Sequence, residues 1–155
     1  MRIPRVLLLF VAAFLLSSAA FAQESSHPNF TGIWKLDPGR SELDRPSPDS
    51  VILYIHQNDP DFHLRHTEVQ HGKSWSWSVH GRTDGKMLEL KNREGIKRTH
   101  MHWEGAELVL ESRIDGKHGE VKTTVHYSLL DGGRTLIARE LDNNHETRLV
   151  FTKSG

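Results

Sequence analysis

Turn-forming residues interrupt this chain at nearly even intervals, and that punctuation leaves room only for short strands. Asn58-Asp59-Pro60-Asp61, His71-Gly72, Asp84-Gly85, Arg93-Glu94-Gly95, Glu104-Gly105, Asp115-Gly116, Asp131-Gly132-Gly133 and Asp142-Asn143-Asn144 follow one another about every ten residues. Asp-Gly and its relatives supply the positive-φ positions that tight hairpins demand. The segments between them are predicted strands over 30–36, 51–57, 62–70, 74–81, 86–91, 96–103, 106–113, 119–129, 134–141 and 146–153. No window beyond residue 22 sustains a 3.6-residue apolar period. The pattern therefore predicts an all-β, up-and-down antiparallel barrel of about eight to ten strands with little or no helix. The one long connection, 37–50, contains Pro38, Pro46 and Pro48 and has room for a single helical turn around Ser41 to Asp44.

Residues 1–22 have the pattern of a cleaved export signal. Arg2 and Arg5 precede the apolar run Val6 to Leu16, and Ala20-Phe21-Ala22 forms a small-x-small cleavage site. The apolar run is short for a membrane span of about 20 residues. The expected mature chain is a single barrel domain over 23–155, periplasmic or secreted, without stable membrane insertion. Removing Arg2 and Arg5 from twenty basic residues set against twenty acidic ones leaves a net charge of −2. A near-neutral chain with interspersed signs gives no basis for a nucleic-acid partner. Cysteine is absent, which excludes disulfides and thiol chemistry, so the core alone must hold the fold.

Alternation assigns faces. Trp75, Trp77 and Val79 alternate with Ser74, Ser76 and Ser78, which places the tryptophans inside. Val121, Val125, Tyr127 and Leu129 oppose Lys122, Thr124, His126 and Ser128, and Leu108 and Leu110 oppose Glu107 and Glu111. Strand 134–141 leaves its register open, with either Glu140 inward beside Leu136 and Ala138, or Arg139 inward beside Ile137 and Leu141. An inward charge needs a partner, and a ligand head group is one such partner. His66 and Glu68, following Phe62 and Leu64 on one face, pose the same question.

Gly32 and Trp34, two residues apart, share one strand face. With the export signal and the meander, Gly32-Ile33-Trp34-Lys35-Leu36 resembles the opening barrel strand of the calycin superfamily, the lipocalins and fatty-acid-binding proteins. It is also similar to small exported bacterial proteins with lipocalin-like domains. The resemblance implies a barrel closed at one end by Gly32 and Trp34 and open at the other to a small, largely apolar molecule. Trp75, Trp77, Met101 and Tyr127 would line the cavity, and Glu140 would orient the ligand; no cofactor is implied. The chain departs from the pattern in places. The lipocalin Thr-Asp-x-x-Tyr loop starts at Thr83-Asp84 but has Met87 at its end, and the Arg-x-Tyr anchor of fatty-acid-binding proteins is missing after Arg148. Arg148 is also the candidate for the arginine that lipocalins stack on the tryptophan, but inward Leu149 and Phe151 would turn it outward.

Eleven histidines raise the question of a metal. His100-Met101-His102 points two imidazoles to one side of a strand, as a zinc or copper site requires. Arg98 shares that polar face while Met101 and Trp103 take the other, which disfavours a cation, so no metal is predicted and these two remain the only candidates. There is no Gly-x-Ser-x-Gly, no His-Glu-x-x-His and no inward pair of carboxylates, so no catalytic residue is predicted. Three readings follow in order: a ligand-binding barrel, a filled barrel that contacts another envelope component through its surface or the 37–50 loop, and a metal-dependent enzyme built on His100 and His102.

Overall fold

A computed structural model describes residues 27–43, 46–92, 95–116, 119–142 and 145–155. The predicted export signal and Asp44 lie outside the described residues. Ten strands form: β1 (Gly32–Leu36), β2 (Ser50–Asn58), β3 (Asp61–Gln70), β4 (Lys73–Arg82), β5 (Leu88–Asn92), β6 (Gly95–Glu104), β7 (Glu107–Gly116), β8 (Gly119–Leu130), β9 (Thr135–Asp142) and β10 (His145–Ser154). Among the described residues there is no helix, and hence none long and apolar enough to cross a membrane.

The strands make one antiparallel sheet in the order β4-β3-β2-β1-β10-β9-β8-β7-β6-β5. Nearly every neighbour is a sequence neighbour; the exception is β1 with β10, where Trp34 faces Lys153 and Leu36 faces Phe151. The two-residue loop His71-Gly72 has φ of 51° and 70°, the type I′ geometry that matches strand twist. The turn expected at Asp115-Gly116 falls later. Asp115 and Gly116 still pair with Glu120 and Gly119, because the Ile114–Val121 pair and the Arg113–Glu120 ion pair carry the ladder onward. Of the turn expected around Ser41 to Asp44, the described residues Ser41, Glu42 and Leu43 are not helical. The Ser41 Oγ donates to the Asp37 carbonyl (2.7 Å) and accepts the Val150 N–H (2.9 Å), which ties the long loop to β10.

Residues 28–31 plug one end of the barrel. Phe30 is fully buried beside Trp103 and Tyr127, and its carbonyl accepts the indole N–H of the fully buried Trp34 at 2.9 Å. Gln57 fixes the same segment, its Oε1 accepting the Phe30 N–H (2.9 Å) and its amide donating to the Pro28 carbonyl (3.3 Å) and the Asp59 carboxylate (3.1 Å). The glycine of the Gly-x-Trp pair has a backbone reason, a φ of 157° that residues bearing a Cβ rarely adopt. A Cβ on Gly32 would lie 2.7 Å from Cε of Lys153, whose Nζ lies 5.2 Å from the centroid of Trp34. The cation on the tryptophan is thus Lys153. Arg148 turns outward, as alternation predicts, and donates to the Arg40 carbonyl at 3.2 Å.

The sheet ends, β4 and β5, are not paired to each other, and β4 meets β6 through side chains. At this seam Gly81 faces the fully buried Met101, and a Cβ on Gly81 would fall 2.0 Å from its Sδ and 2.9 Å from its Cγ. Overpacking of this kind costs about 1–3 kcal/mol. Urea unfolding of Gly81→Ala should show a loss of that order. In a Met101→Ala background the same change should cost much less, because the colliding atoms are gone.

Candidate functional site

The interior of the barrel is not filled. A cavity of about 260 Å³ lies inside the wall, bounded on its apolar side by residues such as Leu53, Leu64, Val79, Leu110, Val125 and Phe151. Its polar boundary comes from His66, Lys97, Glu140, Ser112 and Thr123. Strand alternation explains the set. Leu64 and His66 are successive inward positions of β3, as are Leu110 and Ser112 of β7 and Thr123, Val125 and Tyr127 of β8.

The open register of 134–141 is settled by pairing. Ala138 lies opposite Tyr127 and Glu140 opposite Val125, and both Ala138 and Glu140 line the cavity. Arg139 points outside, where its Nη2 binds Glu107 at 2.8 Å. Tyr127, Glu140 and Trp77 therefore meet at one cavity. Trp77 is 45% exposed rather than interior, with its ring stacked on His66 at 4.8 Å between centroids.

Two expected lining residues are elsewhere. Trp75 is 42% exposed and forms no part of the wall; β4 is a sheet edge, so its inward-facing side chains are open to solvent on one flank. Met101 does face inward, but it is spent on packing against Gly81 at the seam. Sequence reasoning missed Lys97 as a wall residue. The signal was present, because Lys97 and Thr99 continue the inward alternation of Met101 and Trp103. His100 and His102 take no part in the cavity. They lie on the outer side of β6, with ring centroids 5.0 Å apart.

The phenol of Tyr127 sits almost fully buried in this interior. Burial, and secondarily the nearby charge of Glu140, push its ionisation well above the ordinary value of 10.0. A neutral hydroxyl therefore borders the cavity at any physiological pH.

A ten-stranded up-and-down barrel, plugged at one end and hollow within, is the class that fold and site define. No protein-family model matches the chain, and no curated protein matches it in sequence. Solved structures do match. Secretory abundant heat soluble protein 4 from Ramazzottius varieornatus superposes with a TM-score of 0.58 at 14% identity, over 81% of this chain and 95% of that one. Lipid binding protein 8 of Caenorhabditis elegans gives the same TM-score, identity and coverage. Human cRBP IV gives a TM-score of 0.58 at 14% identity, over 82% of this chain and 99% of its own. The chain shares the barrel fold of these solved structures.

The Tyr127 environment carries a pH consequence. Below the ordinary phenol value both folded and unfolded forms are protonated, and the contribution to stability is complete. Above 10.0 the unfolded chain loses the proton first, so stability falls as pH rises. In an ultraviolet titration of Tyr54→Phe protein, phenolate absorbance should appear only as the barrel unfolds. Ionisation with the fold intact near 10 would contradict the placement.

Proposed function

We propose that the protein is an exported carrier that holds a small, largely apolar molecule in its barrel. The single observation that carries this reading is the cavity: about 260 Å³ of space, walled mainly by aliphatic and aromatic side chains with a few polar groups among them. A site of that composition gains binding energy from removing apolar surface from water and uses its polar groups to orient the ligand. His66, Lys97 and Glu140 are the orienting groups here. The size bounds the occupant. It exceeds the roughly 150 Å³ that accommodates benzene, and lies below the roughly 300–1,000 Å³ of drug-sized sites. A compact ring or short-chain molecule fits better than a long acyl chain.

The open interior favours this reading over a filled barrel acting through its surface. The charged, apolar and small-residue order of residues 1–22 supports export to the periplasm or medium. The matched Caenorhabditis elegans structure is named a lipid binding protein, which agrees with a small apolar occupant.

Native mass spectrometry of the protein purified from its source, followed by denaturation and small-molecule analysis, tests the reading directly. A co-purifying apolar metabolite is the expected result. Lipophilic fluorophores should also bind and quench Trp77, and Val125→Phe, which fills the cavity, should weaken that binding at least tenfold, about 1.4 kcal/mol. Equal binding by the parent and a correctly folded Val125→Phe variant would place the probe outside the barrel and remove the support.

A further inference from the structure

We propose that His100, His102 and Glu111 form a binding site for a divalent metal ion of the zinc class on the outer face of the barrel. The site is separate from the cavity and does not depend on what the cavity holds. Its residues converge through strand geometry. His100 and His102 are two positions apart on β6 and point to the same side. Glu111 is the direct cross-strand partner of His100 on β7, and its Oε2 lies 2.8 Å from His100 Nδ1. One ligand atom from each of the three lies within 4.8 Å of the others. Zinc bonds of about 2.0–2.2 Å place tetrahedral ligands roughly 3.4 Å apart. Small rotamer adjustments of half-exposed side chains cover the difference.

The basic residues around the trio are neutralised by carboxylates other than Glu111. Arg98, which on sequence grounds argues against a metal, is turned away to Glu89 (3.0 Å) and Asp115. Arg113 is held by Asp115 and Glu120, and Lys122 by Glu120 at 3.1 Å. Among the described residues no lysine or arginine pairs with Glu111, so its carboxylate remains available. His102 is prepared as well. Its Nε2 is 3.1 Å from Glu104 Oε1, the carboxylate–histidine arrangement that orients metal-binding imidazoles. Its Nδ1 is buried with no hydrogen-bond partner among the described residues, so that lone pair is not committed to the protein.

Access and ligand type narrow the occupant. A surface hollow of about 310 Å³ opens onto His100 and Glu111 and leaves room for water or a further ligand on the ion; Arg98, Arg113 and Lys122 also line it, each engaged by the carboxylates just named. Two imidazoles and one carboxylate suit Zn²⁺, Ni²⁺ or Cu²⁺, whereas Ca²⁺ and Mg²⁺ require oxygen-rich shells. The protein has a natural comparison set. His56, His63 and His80 are cross-strand neighbours on β2, β3 and β4, and the His63 and His80 rings are 4.3 Å apart. Among the described residues no carboxylate joins them in a converging three-ligand group.

Isothermal titration of tag-free protein with Zn²⁺ tests the site, with circular dichroism to verify each fold. One ion per chain should bind at micromolar Kd or tighter. His102→Ala and Glu111→Gln should each weaken it at least tenfold, while the His63→Ala/His80→Ala double variant should leave it unchanged. Substituted Co²⁺ should show visible ligand-field bands in the parent that disappear in His102→Ala. The proposal is overturned if the parent takes up no stoichiometric Zn²⁺ at 100 µM. It is equally overturned if folded His102→Ala and Glu111→Gln bind as the parent does, or if the double variant is the one that loses the ion.

Discussion

The pairing of β1 with β10 is the constraint on which the rest of the molecule depends. Without it the chain is two separate meanders, β1–β4 and β5–β10, each with one apolar face and nothing to cover it. Joining the first and last strands makes one sheet long enough to curl on itself. Trp34 anchors the joint. It is fully buried, its indole N–H bonds to the Phe30 carbonyl, and Lys153 of the partner strand lies over its ring. Gly32 is part of the same arrangement, with a φ of 157° that residues bearing a Cβ rarely adopt. The Gly-x-Trp spacing thus sets a conformationally permissive residue beside a buried anchor at the first-to-last strand contact.

Much of this architecture is legible in the sequence, because hairpin turns and period-two alternation are local properties. The ten strands and their order follow from Asp-Gly-type punctuation, and the inward faces of β7 and β8 follow from Leu108, Leu110, Val125 and Tyr127. Properties that depend on which strand lies opposite are harder to read. The alternation of Trp75 and Trp77 with serines identifies their face correctly, but it cannot reveal that β4 is an edge, where an inward-facing side chain is still half exposed. Glu140 and Arg139 are interchangeable by local pattern, and only pairing with Val125 and His126 separates them. Glu111 reaches His100 through a register that no single strand encodes.

The interior and exterior polar groups obey different rules. Inside, Tyr127 remains protonated because burial and Glu140 both oppose its ionisation. His66 and Lys97 share that cavity wall with aliphatic carbons, so their polarity acts beside a mainly apolar surface. Outside, charges are numerous but mostly matched across strands, as Arg98 with Glu89 and Arg139 with Glu107 show. Such exposed pairs add little stability one by one. Their effect is to fix which charges remain uncompensated on each face.

The seam between β4 and β6 sets the girth of the barrel. In a cylinder hydrogen-bonded all the way round, diameter follows from strand number and stagger and cannot change without breaking ladder bonds. Here the circumference is completed by contact between the Gly81 backbone and the Met101 thioether, with a backbone bond from the Gly85 N–H to the Met101 carbonyl just beyond the end of β4. Methionine is the most deformable of the large apolar side chains. The wall is therefore a split ring closed by a compliant spacer, and the bore of the barrel is tuned by the bulk carried at positions 81 and 101.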